Sequence, residues 1–274
     1  SYAGAQMAKA LGKEDDYNRL MQLSDQWKYI YDEELDLVRP RDKNREFIDN
    51  FDPTQPWRGF QEGNANSYTF YVPHDVDGLL EKMGEEEFNE RLDKVFEASS
   101  KVAFCGGKDN INAFSGLRFA YNHGNQPCLH MPFLFNFSGK PGLTQYWSRR
   151  ICNEFYGTEG IHGYGYGQDE DQGQLSGWYI LAAMGLFDVK GLCEVNPSFQ
   201  LGSPVFDKIT LQLNPEYSSG KTIVINAKNN GPENFYIQSA KLNGKTREKL
   251  SISVEELLNG AVIDLKMGEK PKKN

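Results

Sequence analysis

The spacing of the apolar residues changes once along this chain, at Asn196-Pro197, and that change limits the fold more than any other feature. Before it, apolar residues recur at the interval of an amphipathic helix. Leu20, Leu23, Trp27 and Ile30 form one run, and Phe88, Leu92, Val95 and Phe96 a second. Residues 144–155 form a third run, 175–187 a largely apolar fourth long enough for a buried helix, and 109–121 are expected to add another. After Pro197, apolar and polar residues alternate at 209–213 and 222–226, and strand-like pieces follow at 235–240 and 262–265. Asn243-Gly244 stands between alternating runs and marks a hairpin turn. The chain is therefore expected to be mainly α, with a helical array or toroid over 1–197, a small antiparallel β unit over 198–265 and a charged, frayed tail over 266–274.

The 274 residues suffice for one large core, or for a large domain with a smaller one attached. At 13% aromatic, the composition is that of a packed protein rather than a disordered segment. A net charge of −8 argues against nucleic acid as a partner, because phosphates call for Lys/Arg surfaces. No apolar run reaches the roughly 18 residues that a membrane-spanning helix needs. Cys105, Cys128, Cys152 and Cys193 lack C-x-x-C spacing, so they are expected to be buried free thiols rather than zinc ligands. The opening residues Ser1–Gln6 carry no initiator Met and no secretion-signal pattern, and read as the interior of a longer chain entering a helix.

Three loops concentrate polar residues among glycines and aromatics. The first runs from Gly59 to Val76. In it Glu62 precedes a glycine and a series of aromatics expected to wall it off; a carboxyl held against rings keeps its proton to higher pH, as a general acid requires. The alternative is a solvated loop glutamate. Asp75, after Pro73-His74, has the position of a helix N-cap for Val76–Met83. The second loop, Tyr121 to His130, offers His123, Asn125 and Gln126 around a glycine turn. Imidazoles and carboxamides suit sugar hydroxyls, and carboxamide oxygens also ligate Ca²⁺. The alternative is a turn leading into a helix, with His130 a satisfied core histidine.

The third loop, Gly163 to Trp178, sets Asp169, Glu170 and Asp171 just before the apolar helix. A helix N-terminus favours ionised carboxylates, which suits Asp169 or Asp171 to act as a base or metal ligand; simple helix capping is the competing role. An EF-hand is excluded, since Gln174 and Ile180 occupy the places of its glycine and glutamate. Trp178 and Tyr179 are candidate stacking rings, with core packing the expected role inside an apolar helix. Carboxylates on separate loops are what glycoside hydrolysis requires, with acid and base roughly 6.5–9.5 Å apart in an inverting enzyme.

Together these loops resemble the family 92 glycoside hydrolases, calcium-dependent exo-α-mannosidases. The resemblance rests on Glu62-Gly63-Asn64-Ala65 with Tyr68 and Val72-Pro73-His74-Asp75-Val76, and on His123-Gly124-Asn125-Gln126-Pro127. It rests equally on the stretch from Gly167 to Tyr179 and on Leu201-Gly202-Ser203-Pro204-Val205-Phe206, all in the family's order. The sequence departs from the pattern at Gln126, where many members have Glu, and at Gln168, where Gly is commoner.

The resemblance implies part of an (α/α)₆ toroid, preceded in the whole protein by a β-sandwich domain that this chain lacks along with the remaining toroid helices. It implies hydrolysis of non-reducing terminal α-mannosides, of the α-1,2 type, with inversion. Glu62 corresponds to the general acid, Asp169 and Asp171 to the carboxylates that activate water, and one Ca²⁺ with unassigned ligands contacts the bound mannose. A mannose-containing glycan is the implied substrate, and a secreted, periplasmic or cell-surface location the implied setting. Alone, the chain is expected to be inactive. The alternatives are a non-catalytic carbohydrate-binding or structural fragment, and a toroid glycosidase for another sugar.

Overall fold

A computed structural model describes residues 1–105, 116–157 and 173–272, and these fall into two compact units. The first holds Ser1–Met131 and Cys193–Val195; the second holds Pro132–Tyr156, Leu175–Leu192 and the chain from Asn196 onward. Packing thus groups two helices with the strands, although the change from helical to extended elements falls near Ser198.

In the first unit, α1 (Tyr2–Ala10) packs on α2 (Glu14–Ser24). The helix expected through Ile30 tightens instead into a 3₁₀ stretch, Asp25–Ile30. Local bonds account for this. Ser24 Oγ donates back to the Met21 carbonyl (2.7 Å), and the Trp27 indole donates to Asp75 (3.1 Å). Leu23 and Ile30 stay partly exposed, so this periodic stripe is not a core face. A ribbon of β1 (Tyr31–Asp32) and β2 (Leu37–Val38) follows. Then come α3 (Ala65–Tyr68), α4 (Val76–Met83) and α5 (Glu85–Ser100). Asp75 caps α4 as its position predicts, accepting from the Gly78 amide at 3.1 Å. On α5 the run Phe88, Leu92, Val95 and Phe96 is buried, which is the helical core face read from its spacing. The helix expected at 109–121 lies mostly outside the described residues; its described end, 116–120, is turn and bend.

In the second unit, α6 (Pro141–Glu154) and α7 (Gln174–Ala183) precede the strands. The apolar run to Phe187 does not stay helical. Gly185 takes φ 75°, which ends α7, and β3 (Leu186–Phe187) follows. Strand β3 pairs with β4 (Ser198–Leu201), which pairs with β9 (Ser251–Ser253). The larger sheet contains β5 (Lys208–Gln212), β6 (Thr222–Lys228), β7 (Tyr236–Leu242), β8 (Lys245–Thr246) and β10 (Ala261–Gly268), in the order β5-β6-β10-β7-β8. Asn243 and Gly244 join β7 to β8 with φ of 49° and 80°, the two left-handed residues of a tight hairpin.

Two expectations are corrected here. The β unit is mixed rather than antiparallel, because β10 enters between β6 and β7 and runs parallel to β6. The short helix α8 (Val254–Leu258), with its Ser253/Glu256 capping box, turns the chain into that slot. The tail is also ordered further than expected: Lys266 to Gly268 belong to β10, where Leu265 and Met267 continue its buried face.

Candidate active site

The described part of the site stands in the first unit, on two neighbouring loops. Glu62 begins the turn that leads into α3. Its φ is 54°, left-handed for a residue with a side chain, and such conformations persist only where surrounding contacts enforce them. The enforcing contacts sit immediately downstream. Gly63 lies so close to the Tyr68 ring that a Cβ there would approach it to 2.8 Å. Tyr68 donates its hydroxyl to the Gln61 carbonyl. Asn64, fully buried, caps α3 by accepting from the Asn66 amide at 3.0 Å and the Ser67 amide at 3.4 Å. Its Nδ2 donates to the carbonyls of Leu117 (2.8 Å) and Phe119 (2.9 Å), so the loop is fastened to a second segment of the chain.

Tyr68 has Phe60 and Tyr71 as ring neighbours at 5.4 and 5.9 Å. These aromatics do not wall off Glu62, whose side chain is exposed. They pack on one another because each finds an apolar face there, while the left-handed turn sets the glutamate outward. Burial raises the Tyr68 hydroxyl above its ordinary pKa, with smaller contributions from Cys128, Tyr71 and Glu62.

The second loop is held from beneath. His123 is fully buried; its Nδ1 pairs with the Tyr121 hydroxyl at 2.6 Å and its amide donates to the Phe104 carbonyl. Burial drives the imidazole well below its ordinary pKa, so it is neutral. His130 donates Nε2 to the Phe70 carbonyl at 2.7 Å and is lowered by burial to about 4, which is the satisfied core histidine that was the alternative for this loop. Asn125 is buried, and its Nδ2 donates to the backbone carbonyl of Glu62. That bond joins the two loops and places the Asn125 carboxamide beside the glutamate. Gln126, half-buried, opens the short 3₁₀ turn Gln126–Cys128. Burial pushes the Cys128 thiol up to about 12, so it is protonated at neutral pH. Among the described residues no group of three or more His, Cys, Asp or Glu is placed to hold a metal.

Asp169 and Asp171 lie outside the described residues. Beyond them, Trp178 is buried and stacks on Tyr156, with ring centroids 5.9 Å apart and planes 7° from parallel. It is a core ring, as expected inside an apolar helix. The four cysteines are free, three of them buried and Cys193 partly so. The residue overlooked in the sequence is Asn64. An Asn followed three places later by Ser at a helix start is a legible cap, but its two distant carbonyl partners leave no local signal.

The model of the glycosyl hydrolase family 92 catalytic domain matches residues 1–269. A family GH92 α-mannosidase from Bacteroides thetaiotaomicron is 31% identical with a TM-score of 0.81, the match covering 97% of this chain and 33% of that one. An inverting mannosidase of the same family from Bacteroides thetaiotaomicron is 31% identical with a TM-score of 0.80, over 98% of this chain and 36% of that one. An uncharacterized secreted glycosidase of Arthroderma benhamiae is 26% identical over 206 residues, 73% of this chain and 23% of that protein. The chain thus spans about a third of the solved relatives and less of the fungal one.

Proposed function

This chain belongs to glycosyl hydrolase family 92, and on that footing we propose that it supplies the acid-bearing and base-bearing loops of an inverting exo-α-mannosidase within a longer protein. The observation that carries the reading is the junction of the first two loops. Glu62 is held in a left-handed turn by Asn64 and Tyr68, and its carbonyl is bound by Asn125. Such a turn costs a residue with a side chain roughly 1 kcal/mol or more, and backbone strain of this kind clusters at active sites.

In this proposal Glu62 donates its proton to the glycosidic oxygen as the bond to the anomeric carbon breaks. Asp169 and Asp171 take a proton from the water that attacks the opposite face, so the configuration inverts. Terminal α-mannosides with α-1,2 linkages are the proposed substrates, outside the cell or at its surface. A general acid needs an apolar cover to hold its proton, and the described residues leave Glu62 exposed. The proposal assigns that cover to other parts of the protein: a preceding β-sandwich and the rest of an (α/α)₆ toroid. Calcium belongs to the proposal through donor chemistry. Asn125 and Gln126 offer carboxamide oxygens, which suit a hard cation, and the nearby Cys128 thiol is protonated. When bound, Ca²⁺ would polarise the hydroxyls of the sugar.

The test is Glu62→Gln in the intact protein. Turnover of mannobiose should fall by about 10²–10⁴-fold, the span of general acid catalysis, while an activated aryl mannoside, whose leaving group needs little protonation, should be spared. Asp169→Asn and Asp171→Asn should impair both substrates. Equal loss on both substrates in Glu62→Gln would remove it from the acid role.

A further inference from the structure

In the second unit, a cavity of about 800 Å³ opens where the start of α6 meets β7. The volume is that of a small-molecule site. Its apolar lining includes Leu143, Leu250 and the Tyr236 side chain. Its hydrogen-bond donors come from three sources.

The first is the helix end. No side chain caps α6. Pro141 has no N–H, and Leu143 closes a tight bond to the Lys140 carbonyl at 2.9 Å. That leaves the Gly142 amide without a partner among the described residues, at the positive end of a 14-residue helix. The second is Gln145, one turn further on and only 2% exposed. Its Oε1 accepts from the Ile237 amide at 2.9 Å, which fixes the carboxamide so that Nε2 is the end left over. Nε2 has no partner among the described residues, and Gln145 lines the cavity.

The third source is charge. Lys140, Arg247 and Lys272 line the cavity against Glu248 alone, in a chain whose net charge is −8. Arg247 is paired with Glu256, and Lys272 with Glu248 at 3.6 Å. Lys140, at the N-cap of α6, keeps no ion pair among the described residues.

We infer that this cavity binds a small organic oxyanion, a phosphate or carboxylate carried on a ring-sized body. The oxyanion would sit between the Gly142 amide, Gln145 Nε2 and Lys140, and the body would lie against Tyr236 and Leu250. A helix start with a free amide, a lysine and a buried unpartnered donor together match an acceptor-only group, which a neutral ligand does not offer. None of these residues belongs to the unit that holds Glu62, so the inference stands apart from the mannosidase reading.

Calorimetric titration of the intact protein tests it, with glucose 6-phosphate, glucuronate and neutral glucose as probes at low salt. One of the two anions should saturate a single site and weaken as salt is added, and the tighter of the two identifies the recognised group. Lys140→Glu changes an exposed residue and should weaken that probe by about tenfold or more, the effect of roughly 1.4 kcal/mol. Gln145→Glu keeps an acceptor for the Ile237 amide but replaces the donor with a carboxylate, and should abolish binding. If it fails to fold, Lys140→Glu still decides. Absence of saturable binding by both anions, glucose binding as tightly as glucose 6-phosphate, or unchanged affinity in Lys140→Glu would overturn the assignment.

Discussion

Asn64→Ala isolates the anchor beneath the Glu62 turn, and its cost follows from the bonds Asn64 makes. The side chain is fully buried, accepts two amides at the start of α3, and donates to the Leu117 and Phe119 carbonyls. Losing the cap costs about 1 kcal/mol. Leaving a buried carbonyl without its donor costs roughly 1–3 kcal/mol, and the Phe119 bond, only part-buried, stands at the low end because water can replace it. The expected destabilisation is therefore about 3–5 kcal/mol. Urea unfolding of the intact protein, followed by tryptophan fluorescence, would read it as a lowered midpoint for the transition that includes this unit. Asn64→Asp sharpens the test. It keeps the cap acceptor, and places it well for the helix dipole, but it removes both donors and sets a carboxylate against two carbonyls. If capping were all that mattered, Asn64→Asp would match the wild type. The carbonyl anchor requires it to fall at least as far as Asn64→Ala, and a wild-type midpoint in Asn64→Asp would refute the reasoning. Turnover should fall in both variants, since the turn that presents Glu62 then loses its Asn64 anchor to the Leu117 and Phe119 carbonyls.

Burial lowers the pKa of His130 from 6.5 to about 4, so the folded protein refuses a proton that the unfolded chain accepts. Its contribution is fully present above pH 6.5 and is lost as pH falls toward 4, by at most about 1.4 kcal/mol per unit and roughly 3 kcal/mol in all. His123 acts with the same sign; denaturant midpoints measured across that window should decline, His130→Gln should flatten the slope, and a flat wild-type profile would count against both histidines. A Cβ on Gly202 would stand 2.9 Å from the Phe133 ring, so Gly202→Ala should lose roughly 1–3 kcal/mol by overpacking, with no loss of melting temperature as the contrary result. On the proposed function, exhaustive dialysis of the intact protein against EGTA should abolish turnover of α-mannosides and added Ca²⁺ restore it; full turnover in the chelator would remove calcium from the proposal.

Features with local causes were legible in the chain itself. Asn243-Gly244 is a hairpin because both residues tolerate positive φ, and Asp75 is a cap because its carboxylate reaches an amide three residues ahead. The spacing of Phe88, Leu92, Val95 and Phe96 marks one face of a helix whatever that face meets. The motif-bearing loops were legible too, since glycines, aromatics and carboxylates cluster there in order. Tertiary structure decided whatever depends on a partner far along the chain. An alternating run announces a strand but not its neighbours, so the parallel seat of β10 beside β6 and the pairing of Lys266 to Gly268 came only with the sheet. Two histidines on one loop look alike in sequence, yet Tyr121 fixes one and the Phe70 carbonyl the other. The aromatics after Glu62 promised it a wall, but rings gain more by packing on one another than by covering a carboxylate that water solvates well. Whether a side chain is buried is settled by the distant surfaces that meet it, and those surfaces are encoded elsewhere in the chain.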